Sequence, residues 1–178
     1  MRVPLLVATL CLGLAPAVSA QAGFPVQRGS VSLGGTAGLS SQSTGGDDRI
    51  TVLALAPSAL YFVADGLGIG GTVSYQGVHD GDEWGHFLGL GPRVAYYLGG
   101  PESRVYPYAQ AGLFYTTSDQ DIQSLGGDVA AGALVMLSRA VGLNAEAYYE
   151  TQSVSFGGFQ DQDRNAFGLR AGITAFVY

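Results

Sequence analysis

Cysteine occurs once in this chain, at position 11, and lysine not at all. The single thiol lies inside an N-terminal apolar run, so the rest of the sequence can build neither a disulfide framework nor a cysteine-based zinc site. Thr9-Leu10 ahead of Cys11 is the wrong small-residue context for lipoprotein acylation, and the apolar run continues past it. Arginine alone supplies the basic side chains, and 14 Asp and Glu face 8 of them. The basic patch that grips a phosphate backbone is missing, which argues against a nucleic-acid partner. Charged residues make up 12% of the chain, about half of what a soluble domain carries. Yet no segment beyond the leader reaches the roughly eighteen consecutive apolar residues that a membrane helix needs.

The leader reads as an export signal. Arg2 opens it, Val3 to Ala15 is an almost uncharged apolar run, and Val18-Ser19-Ala20 offers small residues for a signal peptidase. The run is too short for a spanning anchor, and no stop-transfer charges follow. Cleavage is expected after Ala20, which removes Cys11. It leaves a short N-terminal periplasmic segment, 21–28, and about 158 residues in all, enough for one domain.

What the sequence does have is glycine, 28 residues of it, and a period of two. In Leu67–Gln76, Leu67, Ile69, Gly71, Val73 and Tyr75 share one face, and Gly68, Gly70, Thr72, Ser74 and Gln76 the other. In Val141–Glu150, Val141, Leu143, Ala145, Ala147 and Tyr149 alternate with Gly142, Asn144, Glu146, Tyr148 and Glu150. A helix would scatter the polar residues of either stretch around its circumference. Eight such segments are expected, at about 29–42, 49–63, 67–78, 84–98, 105–117, 127–138, 141–154 and 164–178. The breaks at 43–48, 79–83, 118–126 and 155–163 are mostly long and acidic, carrying Asp47 and Asp48, Asp80, Asp82 and Glu83, Asp119 and Asp121, and Asp161 and Asp163. Those at 64–66, 99–104 and 139–140 are short. Long–short alternation and an even strand number define an up-and-down antiparallel transmembrane β-barrel, long loops outside and short turns in the periplasm. Pro57–Val63 and Pro92–Leu98 form a weak repeat, each entering a short Gly-containing turn. A closed sheet has no edge strand to shelter a proline, so a bulge or a missing ladder bond is expected at Pro57 and Pro92.

The two faces differ in the sense that lipid contact requires. The polar face carries Arg93, Asp128, Glu146, Glu150 and Arg170 among Gly, Ser, Thr and Gln. It cannot form a hydrophobic core, but it can fill a narrow lumen as a cluster of paired charges. The central apolar face carries no Arg, Asp or Glu, where a single arginine at mid-bilayer would cost roughly 2–4 kcal/mol. Tyr61, Tyr96, Tyr97, Tyr106 and Tyr108 near the short turns, and Tyr75, Trp84, Tyr115 and Tyr149 near the long loops, are expected to form two interfacial girdles.

The chain resembles the small outer-membrane β-barrel family, the OmpA-type transmembrane barrel and its short relatives. The residues that carry the resemblance are Tyr61–Gly70, Gly91–Tyr97, Pro107–Gly112 and the terminal aromatic Tyr178, and it spans roughly 29–178. It implies an integral outer-membrane protein, in contact with outer-membrane lipids and inserted by a barrel-assembly machine that reads the last strand. No peptidoglycan-binding domain is expected after Tyr178. Family members end on alternating apolar residues that face lipid, a phase that here contains Tyr178, Phe176 and Thr174 but also Arg170. Keeping Arg170 out of lipid selects Phe167, Leu169, Ala171 and Ile173 as the outer face. A β-bulge near Thr174-Ala175 is then expected to return Phe176 and Tyr178, the assembly signal, to the lipid side.

Three functions fit such a barrel. The first is a structural or surface-interaction role, since an eight-stranded lumen is just wide enough for its own side chains and surface loops carry contacts. The acidic loops lack the twelve-residue calcium spacing and read as solvated charge; no cofactor and no metal site is expected. The second is a lipid-modifying enzyme, which needs a nucleophile beside a histidine. Only His79 and His86 are available, with Ser74 on the adjoining segment, and no tight pairing is evident, so no catalytic residue is assigned. The third is a narrow channel or a carrier of small hydrophobic ligands, favoured by the glycine-rich inner face and opposed by the charges on it.

Overall fold

A computed structural model describes residues 23–43, 49–79, 84–118, 122–156 and 159–178. Eight strands run in chain order: β1 (Val31–Ser43), β2 (Arg49–Ala64), β3 (Leu67–His79), β4 (Trp84–Tyr97), β5 (Val105–Ser118), β6 (Ile122–Met136), β7 (Val141–Phe156) and β8 (Phe159–Val177). Each pairs antiparallel with the next, and β8 returns to β1 to close a barrel. Closure pairs backbone groups between strands, which is what allows a sheet to stand in hydrocarbon. Along β4 and β5 exposure alternates residue by residue. Leu88, Leu90, Val94, Leu113, Val129, Leu143, Leu169 and Ile173 all face outward.

The eight expected segments are all strands, but β6 and β8 each begin five residues earlier than the sequence pattern marks. Ser124 turns inward and Leu125 outward, continuing the alternation of β6 through a stretch whose polar composition resembles a loop. The backbone of Asp161 and Asp163 likewise belongs to β8 rather than to a loop. The other acidic clusters and the proposed leader lie outside the described residues. Each proline keeps a partner on one side and breaks the ladder on the other. Pro57 pairs with Gly35, while the β2–β3 ladder is interrupted between Leu55 and Ser58. Pro92 pairs with Gly71, while the β4–β5 ladder is interrupted between Leu90 and Arg93. A ring nitrogen without hydrogen has nothing to give the second neighbour.

The end of β8 differs from expectation. Its register against β7 and β1 is regular through Ala175 and Val177, with no bulge near Thr174-Ala175; the β7–β8 irregularity lies at Val154/Phe156. Phe167, Leu169, Ala171 and Ile173 face outward and Arg170 inward, but Phe176 stays in the inward phase and is 4% exposed. The reason is an apolar floor across the periplasmic mouth. Val26, Leu60, Phe62, Ala95, Tyr97, Tyr106, Tyr108, Leu134 and Phe176 pack there as one buried cluster, with Phe24, Met136 and Tyr178 against it. Phe176 lies against Phe62 in this cluster, ring centroids 6.4 Å apart, and the regular register carries it there without a bulge. Tyr106 leaves the expected girdle for the same reason, together with Tyr97 and Tyr108. It is 0% exposed, and its hydroxyl donates to the Gly100 carbonyl at 2.9 Å.

The segment before β1 completes the floor. Val26 is fully buried inside the mouth. Its carbonyl accepts from Gly66 N at 2.8 Å, Gly29 N donates to the Phe62 carbonyl at 2.8 Å, and Phe62 N donates to the Ser30 carbonyl at 2.9 Å. Arg28 N donates to Asp65 Oδ1 at 2.8 Å. Gly66 sits at φ 79°, and a Cβ there would run into the Tyr97 carbonyl, so this turn requires glycine.

Candidate functional site

Register places the inward charges. One row across four ladders reads Tyr97, Tyr108, Gly132, Glu146 and Arg170. A second row, four residues along each strand, reads Arg93, Gly112, Asp128, Glu150 and Ala166. Between them lie Gln110 and Tyr148, so side chains spread over some 80 positions of sequence converge at mid-lumen.

Glu146 is the most heavily engaged. Its carboxylate accepts from the Tyr108 hydroxyl at 2.6 Å and from Gln110 Nε2 at 2.8 and 2.9 Å, and it pairs with Arg170 Nε. Arg170 Nη2 reaches Asp128 Oδ2 at 2.7 Å, and its guanidinium lies over the Tyr148 ring, 4.7 Å from the centroid. Arg93 Nη2 spans both Asp128 oxygens at 3.4 Å, a looser contact that leaves its buried Nε without a partner. Glu150 faces the lumen beside Asp128 but forms no hydrogen bond or salt bridge to another described residue. Desolvated charges survive here because each guanidinium is shared with a carboxylate.

Sequence reasoning named the five charged residues but not the groups that seat them. Tyr108 and Gln110 complete the shell of Glu146. Gly112 supplies room, since a Cβ there would lie 2.7 Å from Asp128 Oδ1 and 3.5 Å from Arg93 Nε. Gly132 does the same beside Glu146, 2.6 Å from its Cβ. The signal was present only as glycines in the inward phase, which carries no information until register is known.

The remaining aromatics separate into two ends. Tyr61 and Tyr96 face outward near the periplasmic turns, and Trp84, Tyr115 and Tyr149 face outward near the other end, with Tyr75 half-buried among them. Trp84 stacks on His79 at 4.9 Å and on His86 at 6.5 Å, and the Tyr75 hydroxyl lies 2.9 Å from His86 Nδ1 in a hydrogen bond. This histidine cluster is on the outer wall. Ser74 lies on the opposite, inward phase of β3, where it nears Thr116 across Gly89. The structure therefore does not bring Ser74 and a histidine together. Among the described residues no group of three or more His, Cys, Asp or Glu is arranged to hold a metal ion.

An apolar exterior, a charge-filled lumen and eight antiparallel strands define a small barrel of the outer-membrane type. No protein-family model and no curated protein matches the sequence. Solved structures do match in fold. Neisserial surface protein A is 20% identical, with a TM-score of 0.54 over 83% of this chain and 96% of its own. The outer membrane protein OprG from Pseudomonas aeruginosa is 19% identical, with a TM-score of 0.54 over 88% and 99%. The N-terminal barrel domain of OprF from the same organism is 16% identical, with a TM-score of 0.52 over 84% and 98%.

Proposed function

We propose that this protein is a non-catalytic anchor of the outer membrane. Its barrel stands among outer-membrane lipids, its lumen is sealed, and it displays short surface loops for structural or surface contacts, acidic at Asp47 and Asp48, at Asp80, Asp82 and Glu83, and at Asp119 and Asp121. The observation that carries this reading is the double closure of the lumen. The network of Arg93, Asp128, Glu146 and Arg170 fills it at mid-height, and the apolar floor around Val26, Phe62 and Phe176 blocks it below. A diffusion pore needs neither. The two girdles, Tyr61 and Tyr96 below and Tyr75, Trp84, Tyr115 and Tyr149 above, would hold the barrel at the headgroup levels. The opposed faces of Ser74 and His86 speak against the lipid-modifying reading. Insertion falls to the barrel-assembly machinery, to which the last strand offers Ile173, Ala175 and Val177 on its outer phase, with Phe176 and Tyr178 turned in.

Planar-bilayer recording of the mature chain tests the sealed lumen. The expected record is flat, with no discrete steps at 1 M salt. Regular steps of a stable water-filled pore would overturn the reading.

A further inference from the structure

The outer wall is not evenly clad. Most of it presents Leu, Val, Ile and Tyr. Across β5 to β8 two consecutive rows of the ladder present alanine instead, Ala109, Ala131 and Ala147 in one and Ala133, Ala145 and Ala171 in the next. The first row floors a groove of about 550 Å³ on the outside of the barrel. Tyr96 bounds it on β4 and Phe167 on β8, with Val129 and Tyr149 above. None of the charged lumen residues lines it. Left empty, such a groove would cost its lining the dispersion contacts that a hydrocarbon chain supplies.

The rim beneath the groove is basic. Below the alanines, Val105, Val135 and Leu143 form one further apolar row across β5 to β7, and two turns then end the wall in arginine. Arg104 closes the β4–β5 turn beside β6, its carbonyl accepting from Met136 N at 2.8 Å. Arg139 stands three residues on from Met136, in the β6–β7 turn. Both arginines are exposed, and neither forms a salt bridge to a described residue. The other charged side chains of this end are Arg28, Asp65 and Glu102. Asp65 accepts from Arg28 N at 2.8 Å on the β2–β3 turn, and Glu102 makes no ion pair with Arg104. Residues 1–22 carry no acidic side chain. The far end is opposite in sign, with nine acidic side chains against Arg49 and Arg164 in the segments 47–49, 80–83, 119–121 and 161–164. Only at the periplasmic end does an anionic group find cations to meet it.

Depth fits the two features to one molecule. Val105 to Ala111 is about 20 Å of strand, a rise of roughly 14–17 Å at the usual tilt and so about half of the hydrocarbon core. Rim and groove together thus span one leaflet, the reach of a single acyl chain below its headgroup. A second copy of the barrel fits this face poorly. In a parallel pair related by a two-fold axis the same patch meets itself, which sets arginine rim against arginine rim.

We infer that this face holds one anionic diacyl phospholipid of the periplasmic leaflet, its phosphate at Arg104 and Arg139 and one acyl chain in the alanine groove. Guanidinium forks match phosphate oxygens two at a time. A zwitterionic phospholipid offers the same phosphate but brings its own cation to the arginines, so the anionic head is preferred. The inference deepens the anchor reading, on whose membrane setting it rests, by naming the lipid that the wall selects.

The probes are dioleoyl phosphatidylglycerol and dioleoyl phosphatidylcholine, offered in equal amounts to the mature chain in detergent micelles, with bound lipid counted by native mass spectrometry. One phosphatidylglycerol per barrel is expected, retained about tenfold over phosphatidylcholine. Arg104→Gln/Arg139→Gln should erase the preference. Ala131→Phe, which fills the groove and leaves both arginines in place, should lower retention of phosphatidylglycerol about tenfold. Val73→Phe, outward on β3, should keep it within about threefold. Equal retention of the two lipids by wild type overturns the inference, as does an unchanged preference in the double arginine variant. Unchanged retention in Ala131→Phe, or an equal loss in Val73→Phe, overturns the seat given to the acyl chain. A lipid-free dimer that Ala131→Phe dissociates would give the face to a second copy of the chain instead. The boiling-dependent gel shift discussed below is read on every variant. A wild-type chain without the shift fails the anchor reading and this inference with it, whereas a shifting chain with no lipid preference fails this inference alone.

Discussion

Removing the carboxylate of Glu146 leaves the Tyr108 hydroxyl and the Gln110 amide without their acceptor and Arg170 with Asp128 alone. Breaking a buried pair from one side costs about 3–5 kcal/mol, because the other charge stays buried. Glu146→Ala should lower barrel stability by that order in urea unfolding from detergent micelles. Glu146→Met with Arg170→Met, which removes both charges, should recover most of the loss. A double variant as unstable as the single one would mean that the pairing is not what holds the lumen. Gly112→Val, pressed against Asp128 and Arg93, should cost about 1–3 kcal/mol by overpacking. At this scale the sequence was half legible. Charged residues announce themselves by type, so Arg93, Asp128, Glu146, Glu150 and Arg170 could be named in advance. Gly112 and Gly132 could not, because a missing side chain has meaning only opposite a particular neighbour. Tyr106 misled because tyrosine suits an interface and a buried floor equally well.

At the scale of the strand, period two was the readable signal, and it fails where both faces become polar. That is why the first residues of β6 and β8 resemble loop in sequence. Pro57 and Pro92 were legible for the opposite reason, since a missing N–H breaks the ladder whatever surrounds it. The phase of β8 was legible at Arg170, where the cost of burying a charge in lipid decides it. It was not legible at Phe176, where an aromatic ring suits lipid and floor alike. The lipid face can be tested directly. Ala111 points outward on β5, four residues below Tyr115, and pairs with Val94 on β4 and Val129 on β6. Ala111→Arg should destabilise the barrel in lipid vesicles by about 2–4 kcal/mol, falling toward zero for arginine placed nearer either rim. An unchanged stability would mean that this face does not meet hydrocarbon.

For the molecule as a whole, a sheet closed on itself by the pairing of β8 with β1 predicts resistance to detergent. The unboiled chain should migrate on a gel at a different apparent mass from the boiled one, and it should fractionate with outer membranes. A soluble periplasmic chain with no shift would mean that inside and outside are exchanged. The floor makes a separate prediction. Val26→Asp leaves an unpaired charge in the apolar cluster and should lower stability in urea unfolding by about 3–5 kcal/mol, while bilayer recordings stay flat because the mid-height network still fills the lumen. The floor also ties distant parts of the chain together. Val26 precedes β1 and Phe176 lies in β8, yet both belong to one buried cluster at the same mouth. That cluster cannot form until β8 has come back to β1. Tightness at this end is thus a seal that only the finished circle can set.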